Sequence, residues 1–210
     1  MTRSSAKVRP ASEEDLGAIV ELHRACFPGF FLTDLGATFL TELYRGLHDL
    51  PSGVLVAAYD DRHRVLGYAG GSGEQQDFYR ELLRRRGWKF ALAALPAVAR
   101  RPTIATRVAR GRTRARRDDD TRAPGCLMSL GVDPKLQSRG VGRALVGAFE
   151  EELRHRGCAA YWLTTDESAN DAANNFYTRL GFLRSRVVVT PEGRHLNEYT
   201  KSLSADGERP

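Results

Sequence analysis

The stretch LMSLGVDPKLQSRGVGRAL, residues Leu127–Leu145, holds residue types that could bind an anion. An apolar run passes through a polar loop into a turn with Gly140 and Gly142, where a helix is predicted to begin. The first N–H groups of a helix lack intrahelical partners and carry partial positive charge, and glycine allows an anion to approach them closely. With Arg139 and Arg143 nearby, the pattern predicts a pyrophosphate cradle. The alternative is a glycine-rich helix start with solvated arginines.

Other nucleotide-binding patterns fit this stretch less well. No G-x-x-x-x-G-K-[ST] pattern is present, which excludes a P-loop. A dinucleotide-binding turn would need a third glycine, but Leu145 occupies that position. The segment Asp133–Arg139 also separates the strand from the first glycine, whereas a dinucleotide turn is tight.

Two motifs resemble those of the GCN5-related N-acetyltransferase (GNAT) family. Gln137-x-x-Gly140-x-Gly142, after a predicted strand, is similar to that family's acetyl-CoA motif. The stretch from Asn170 through Tyr177 to Phe182 is similar to its N-x-x-A-x-x-x-Y-x-x-x-G-F signature. The similarity covers residues 7–73 and 123–202, and both motifs occur in the right order on the expected elements.

The resemblance implies an α/β fold of the α+β type, with a mixed, mostly antiparallel sheet flanked by helices. It implies direct transfer of acetyl from acetyl-CoA to a primary amine in a ternary complex, with no metal. The pantetheine arm is expected to pair with the strand backbone and the pyrophosphate to lie on the glycine turn. The implied cofactor-binding residues are Leu130, Gly131, Val132, Gln137, Ser138, Arg139, Gly140, Val141, Gly142, Arg143, Asn170, Asn174 and Tyr177.

Tyr177 is the predicted general acid, because a phenol pKa of about 10 is close to that of a thiol. The alternative is that Tyr177 belongs to the buried face of its helix. Asn170 lies two turns earlier and is expected to bind the pantetheine, to cap the helix, or both. The predicted catalytic residues are therefore Tyr177 and Asn170.

The general base remains open, because residues 127–130 include no carboxylate. A water relay is one solution, and the side chains that could serve are Glu74, Asp166, Glu167, His23 and Glu198. His23 lies on an apolar helix face, which favours a structural role. The missing strand carboxylate also keeps open a non-catalytic acyl-CoA-binding module.

The predicted acceptor is a small-molecule amine, such as an amino sugar or sugar nucleotide, with a protein or peptide amine as the alternative. Arg184 and Arg186 are two apart on a predicted strand, so we expect them on the same side, facing an anionic acceptor. The apolar loop Cys26–Leu32 is either a buried corner or a wall of the acceptor site.

Hydrophobic spacing predicts alternating helices and strands in one N-acetyltransferase domain over residues 1–210. The first helix is expected to end before Pro28, and the second to run unbroken from Thr33 or Asp34 to before Pro51. The predicted strands are 7–10, 53–59, 64–69, 126–132, 159–165, 182–189 and 195–202. Later helices are predicted over 140–155 and 171–180, with Gly181 ending the last one.

Residues 74–122 form a predicted basic helical insert. The chain of 210 residues has a net charge of +6, and this insert alone holds 14 Lys or Arg against 6 Asp or Glu. Its first helix is expected to break at Gly87. The insert could be a solvated excursion, a lid, a dimer arm or a peripheral membrane contact, and we favour a lid or dimer arm. Nucleic-acid binding is disfavoured, because no recognised module is present.

Composition favours a soluble globular protein, since 41% of the residues are hydrophobic and 28% are charged. No apolar run is long enough to span a bilayer. The three cysteines form no C-x-x-C pair, so neither a zinc site nor a disulfide framework is predicted. We therefore expect a reducing compartment, the cytoplasm. A homodimer remains open.

Overall fold

A seven-stranded sheet organises the structure, a computed structural model that describes residues 6–100, 123–136, 140–190 and 193–204. Along the sheet the strand order is β1-β2-β3-β4-β5-β7-β6. All neighbours are antiparallel except β4 and β5, which confirms a mixed, mostly antiparallel sheet. The strands are β1 Lys7–Pro10, β2 Gly53–Tyr59, β3 Val65–Ser72, β4 Gly125–Val132, β5 Ala160–Asp166, β6 Leu183–Val189 and β7 His195–Ser202.

Helices cover both sides of this sheet. In the described residues they are α1 Leu16–Cys26, α2 Phe31–Asp34, α3 Ala37–Asp49, α4 Gln75–Arg100, α5 Val141–His155 and α6 Asp171–Arg179. We call the side that α1, α3 and α4 cover the α1 face, and the opposite side, under α5 and α6, the α5 face.

Each face has its own buried hydrophobic cluster. On the α1 face the cluster includes Tyr44, Tyr68 and Phe78, and on the α5 face it includes Phe149 and Tyr161. The strands supply both clusters because successive side chains of a strand point to opposite faces. This two-sided burial fixes the sheet between the helix layers.

A gap opens between the parallel strands β4 and β5. Only two residue pairs join them, Gly125 with Tyr161 and Cys126 with Trp162. From Leu127 onward β4 pairs with β3 alone, so its backbone groups on the β5 side have no strand partner among the described residues. The sheet is thus interrupted at its centre, where an extended, amide-rich ligand could pair with β4.

Two helix predictions were wrong. The helix expected from Thr33 or Asp34 onward is divided into α2 and α3, because Gly36 has a φ of 95°. The helix expected to break at Gly87 is continuous through that residue and through Pro96. Burial of Phe78 and Phe90 on the α1 face outweighs the helix propensity cost of about 1 kcal/mol for Gly. The rest of the predicted insert, residues 101–122, lies outside the described residues.

Candidate active site

A bulge in β4 turns two consecutive side chains toward the α1 face. The register between β3 and β4 shifts at Gly70 and Gly71, which leaves Met128 without a direct partner. Met128 packs against the cluster on the α1 face, and the Oγ of Ser129 contacts Tyr44 on that face. A bulge re-aims side chains in this way at the edge of a site. Leu130 and Val132 pack on the α5 face instead.

The N-terminus of α5 follows the open edge of β4. Gly140 precedes the helix with a φ of 82°, a conformation that favours glycine, and no side chain of the described residues caps the helix. The first N–H groups of α5 therefore remain available to an anion beside the exposed Arg143. Val141, by contrast, is buried in the cluster on the α5 face.

Gly142 has a packing role as well. A Cβ at this position would lie 3.3 Å from the Phe176 ring, so glycine allows α5 and α6 to approach each other. The other predicted members of the turn, Gln137, Ser138 and Arg139, lie outside the described residues.

Tyr177 lies on α6, with its ring between the rings of Phe176 and Phe182 at centroid distances of 5.2 and 5.5 Å. It is only partly exposed, and burial raises its pKa above that of a free phenol. Among the described residues nothing hydrogen-bonds to its hydroxyl. A protonated, unengaged hydroxyl at a partly buried site is what a proton donor requires.

The two asparagines of α6 differ in their engagement. The Nδ2 of Asn170 donates to Thr165 at the helix start, and no side-chain cap forms there. Asn174 donates to the Asp166 carbonyl at 3.0 Å and accepts from Asn197 and Tyr199, both at 3.0 Å. Asn174 therefore ties α6 to β5 and β7, a structural role that its position in the sequence does not reveal.

A buried polar cluster joins β4 to α1 and α3 on the α1 face. The Nδ1 of His23 lies 2.6 Å from the Tyr44 hydroxyl and 3.0 Å from the Tyr68 hydroxyl. Tyr44 also donates to Tyr68 at 2.9 Å and lies 3.0 Å from the Oγ of Ser129. Spacing alone could not find this cluster, because its members come from four elements.

Burial keeps His23 neutral at physiological pH. The residue is 3% exposed, and desolvation lowers its pKa to about 4. Its Nε2 is buried and has no hydrogen-bond partner among the described residues. Burial raises the pKa of both Tyr44 and Tyr68, so their hydroxyls stay protonated. The cluster is thus a neutral, hydrogen-bonded chain that reaches from β4 into the α1 face.

The α1–α2 loop and the β6–β7 hairpin meet on the α1 face. The Arg194 guanidinium lies 4.9 Å from the centroid of the Phe30 ring. The same group binds both carboxylate oxygens of Asp166, at 2.7 and 2.8 Å. Arg194 thus links the end of β5 to the apolar loop Cys26–Leu32 and forms a bridge beside the gap.

The sequence model of the acetyltransferase (GNAT) family matches residues 16–182, which is most of the chain. The chain belongs to the GNAT family. Its mixed, mostly antiparallel sheet flanked by helices is the fold that the resemblance implied.

Two curated relatives match a limited stretch of this GNAT chain. The mycothiol acetyltransferase of Nocardia farcinica is 42% identical over 71 residues, which covers 34% of this chain and 23% of the relative. The [ribosomal protein bS18]-alanine N-acetyltransferase of Escherichia coli K12 is 39% identical over 72 residues, covering 32% of this chain and 48% of the relative. The matches therefore span about a quarter and about half of these proteins.

A solved structure shows the same fold over nearly the whole length. An aminoglycoside 6'-N-acetyltransferase complexed with coenzyme A superposes with a TM-score of 0.61 at 15% identity. The alignment covers 97% of this chain and 99% of that protein. At such low identity the likeness concerns the fold alone.

The carboxylates that could deprotonate an amine in this GNAT fold differ in their partners. Glu198 is buried on β7, where Arg186 donates from Nε at 3.0 Å. Asp166 is held by Arg194, and Glu167 lies 3.4 Å from His195. Glu74 is exposed at the entrance to α4. The two carboxylates nearest the end of the gap, Glu198 and Asp166, are thus already engaged in ion pairs.

The prediction that Arg184 and Arg186 share a side was wrong. A register shift lies between them, so Arg184 pairs with Tyr199 and Arg186 pairs with Glu198. Because Tyr199 and Glu198 are consecutive on β7, the two arginines face opposite sides of the sheet. Arg186 joins Glu198 on the α1 face, and Arg184 is exposed on the other.

Proposed function

We propose that this chain is an acetyl-CoA-dependent N-acetyltransferase that acetylates a primary amine of a small molecule, such as an amino sugar or sugar nucleotide. The observation that carries the proposal is the unpaired edge of β4 together with the N-terminus of α5, which follows it along the chain and which no described side chain caps. The edge of β4 suits the amide-rich pantetheine arm, and the N-terminus of α5 suits a pyrophosphate.

The residues of this chain fit acetyl-CoA in a definite order. The backbone of Leu130, Gly131 and Val132 pairs with the pantetheine arm along the open edge. The N–H groups at the start of α5 bind the pyrophosphate, with Arg143 alongside. Gln137, Ser138 and Arg139, which lie outside the described residues, are also proposed to bind acetyl-CoA. Acetyl-CoA supplies the thioester carbonyl that the amine attacks. A backbone N–H of β4 stabilises the negative charge that develops on its oxygen.

Tyr177 supplies the proton that the departing thiolate needs. A phenol holds its proton at neutral pH without any shift in pKa, so the proton is available to the thiolate. The hydroxyl has no competing acceptor among the described residues. Asn170, at the start of the same helix, orients the pantetheine through its side-chain amide.

His23 accepts the proton that the amine loses, through the chain of hydroxyl groups. Ser129 lies on β4 beside the gap and contacts Tyr44, which contacts His23. His23 is neutral and its ring can accept a proton transiently, as a weak base, since burial lowers its pKa to about 4. Glu198 and Asp166 are already paired with arginines. This assignment replaces the strand carboxylate that β4 lacks.

The acceptor enters from the α1 face. There the Arg194 guanidinium lies 4.9 Å from the centroid of the Phe30 ring and joins the loop to the hairpin, a contact that we propose narrows the entrance. A narrow entrance favours a small amine over a polypeptide that must lie across the sheet. The second candidate is a protein N-terminal amine, and the similarity to the bS18-alanine N-acetyltransferase favours it.

A thiol-release assay with acetyl-CoA tests the proposal. The acceptors are simple amines, amino sugars, amino-sugar nucleotides and a peptide with an N-terminal alanine. We expect release with a small amine, and mass spectrometry should show one added acetyl group on it. Thiol release with the peptide alone would indicate that the acceptor is a protein amine. Binding of acetyl-CoA without release from any acceptor would favour the non-catalytic acyl-CoA-binding module.

A further inference from the structure

The second half of α4 exposes an apolar stripe. Trp88 is 64% exposed, Leu92 is 56% exposed and Leu95 is 58% exposed. The spacing of four and three residues places them on one side of the helix. Smaller exposed residues extend the same surface, namely Ala91, Pro96 and Ala99. We call this set the α4 stripe; it is about 18 Å long at 1.5 Å per residue.

The α4 stripe has no part in the core. The opposite side of the helix makes the core contacts, since the Phe90 ring lies 4.8 Å from the Phe39 ring. Ala93 is buried, and Ala97 packs with Leu35 in a small separate cluster. The exposed residues therefore do not contribute to the packing of α4 on the rest of the protein. Exposure of an apolar surface of this size to water is unfavourable, and such patches mark interaction sites.

Basic residues flank the α4 stripe. Arg84 is exposed at one end and Arg100 at the other, and the Lys89 ammonium lies 5.6 Å from the centroid of the Trp88 ring. The acidic residues of this helix, Asp77 and Glu81, lie in its first two turns and pair with arginines. The surface around the stripe thus combines apolar side chains with basic residues that no carboxylate of the described residues pairs with.

We propose that the α4 stripe docks on an anionic lipid surface. Apolar side chains with flanking Lys and Arg are the combination by which a helix lies in the headgroup region, and an indole is suited to that depth. No described helix is long and apolar enough to cross a bilayer, so α4 would lie on the surface.

Charge also decides against a second copy of the chain as the partner. If two α4 helices packed antiparallel about Leu92, Arg84 of one copy would lie beside Arg100 of the other. A parallel arrangement would place each arginine beside its counterpart. Both pairings bring like charges together, whereas anionic headgroups neutralise them.

Docking in this way has a consequence for the orientation of the molecule. Helix α4 lies on the α1 face, and the hydroxyl of its Tyr79 donates to the Met128 sulfur on β4 at 3.8 Å. The docked lipid surface is therefore on the same side of the sheet as the proposed acceptor entrance. The docking itself does not rest on the proposed enzymatic function.

Vesicle flotation with the full chain tests the proposal. The vesicles contain phosphatidylcholine, either alone or with about 30% phosphatidylglycerol, a fraction that gives a strongly anionic surface. The test variant is Trp88→Ser, Leu92→Ser and Leu95→Ser combined. The matched control is Leu183→Ser, because Leu183 is 75% exposed on β6 and far from α4 in the sheet order. Thermal unfolding checks that every variant folds.

The expected result is binding to the anionic vesicles that weakens with salt and falls about tenfold or more in the triple variant, while Leu183→Ser binds like the wild type. Three results would overturn the proposal. These are no flotation of the wild type with anionic vesicles at any concentration, equal binding by the triple variant and the wild type, and a dimer in sedimentation that the triple variant loses.

Discussion

The Tyr44 hydroxyl lies 3.0 Å from the Oγ of Ser129 and 2.6 Å from the Nδ1 of His23. One side chain of α3 thus connects the central strand β4 to a histidine that is almost fully buried on α1. Burial of hydroxyl and imidazole groups is unfavourable unless they are hydrogen-bonded. The hydrogen-bonded series from Ser129 to His23 lies beside the gap in the sheet. The same contacts therefore stabilise the α1 face and take part in the proposed chemistry.

Replacing Tyr44 with Phe should break the hydrogen-bonded series between His23 and Ser129. The ring stays buried, but His23 and Ser129 lose their shared partner, so we expect kcat to fall about 100-fold while the Kd for acetyl-CoA is unchanged. Thiol-release kinetics and calorimetry measure the two quantities. Tyr59→Phe is the control, because the Tyr59 hydroxyl also donates a buried-site hydrogen bond, to Asp15, away from the gap. Equal kcat values for the two variants would show that the polar cluster around Tyr44 has a structural role only.

His23 should make stability dependent on pH. Its pKa is lowered to about 4 in the folded state, whereas 6.5 is its ordinary value. The unfolded chain therefore binds a proton first as the pH falls, so the contribution is fully present above about 6.5 and is lost toward pH 4. Between pH 7 and pH 5 the free energy of unfolding should decrease by about 2 kcal/mol from this residue.

Urea unfolding at the two pH values checks the size of this effect. His23→Gln should lose the decrease, while His155→Gln, a change at an exposed histidine on α5, should keep it. An identical pH dependence in the wild type and His23→Gln would show that His23 is not the group responsible.

Tyr177→Phe should remove the proton donor and leave the fold intact. The phenyl ring can keep its packing against Phe176 and Phe182, and no described residue loses a hydrogen bond. We expect kcat to fall about 100-fold at unchanged acetyl-CoA affinity, as is typical when general acid catalysis is lost. Steady-state thiol release with calorimetry distinguishes this from a packing defect, in which melting temperature and kcat would decline together.

Gly140→Ala should weaken acetyl-CoA binding. Its φ of 82° strains any residue with a Cβ by about 1 kcal/mol, and relief of that strain reorients the first N–H groups of α5. We expect the Kd to rise roughly tenfold, which corresponds to about 1.4 kcal/mol. Gly147→Ala is the matched control on the same helix, because no atom lies within 4 Å of its added Cβ. Unchanged acetyl-CoA affinity in Gly140→Ala would show that the N-terminus of α5 is not part of the binding site.

Arg194→Ala should affect the acceptor and not acetyl-CoA. The change removes the contact with Phe30 and the ion pair with Asp166, which should open the entrance on the α1 face. For the best small amine in the screen, we expect KM to rise about fivefold, in line with a cation–π contact of about 1 kcal/mol. Arg184→Ala is the control, since that arginine faces the other side of the sheet. A higher Kd for acetyl-CoA with an unchanged acceptor KM would contradict this assignment and place Arg194 at the acetyl-CoA end of the site.

The sequence was informative wherever a local pattern determines the structure. Strand β2 follows from its apolar run, and β7 with the final hairpin follows from the turn residues between the two strands. The glycine turn follows from its spacing before α5. The GNAT resemblance supplied the fold class, a mixed, mostly antiparallel sheet flanked by helices, but the gap between β4 and β5 is known from the structure alone.

Long-range packing determined what the sequence did not reveal. Helix α4 continues through Gly87 because residues on both sides of it are buried on the α1 face. A one-residue shift in β6 separates Arg184 from Arg186, and no feature of the strand's own pattern marks it. The chain from Ser129 to His23 joins residues more than a hundred positions apart, so only the fold could bring them together.

Calorimetric titration of the full chain with acetyl-CoA tests the central claim most directly, because it does not require the acceptor to be known. The account predicts saturable binding of one acetyl-CoA per chain, weaker in Gly140→Ala and unchanged in Tyr177→Phe. Absence of binding at millimolar acetyl-CoA, by a wild-type chain that unfolds cooperatively, would contradict it.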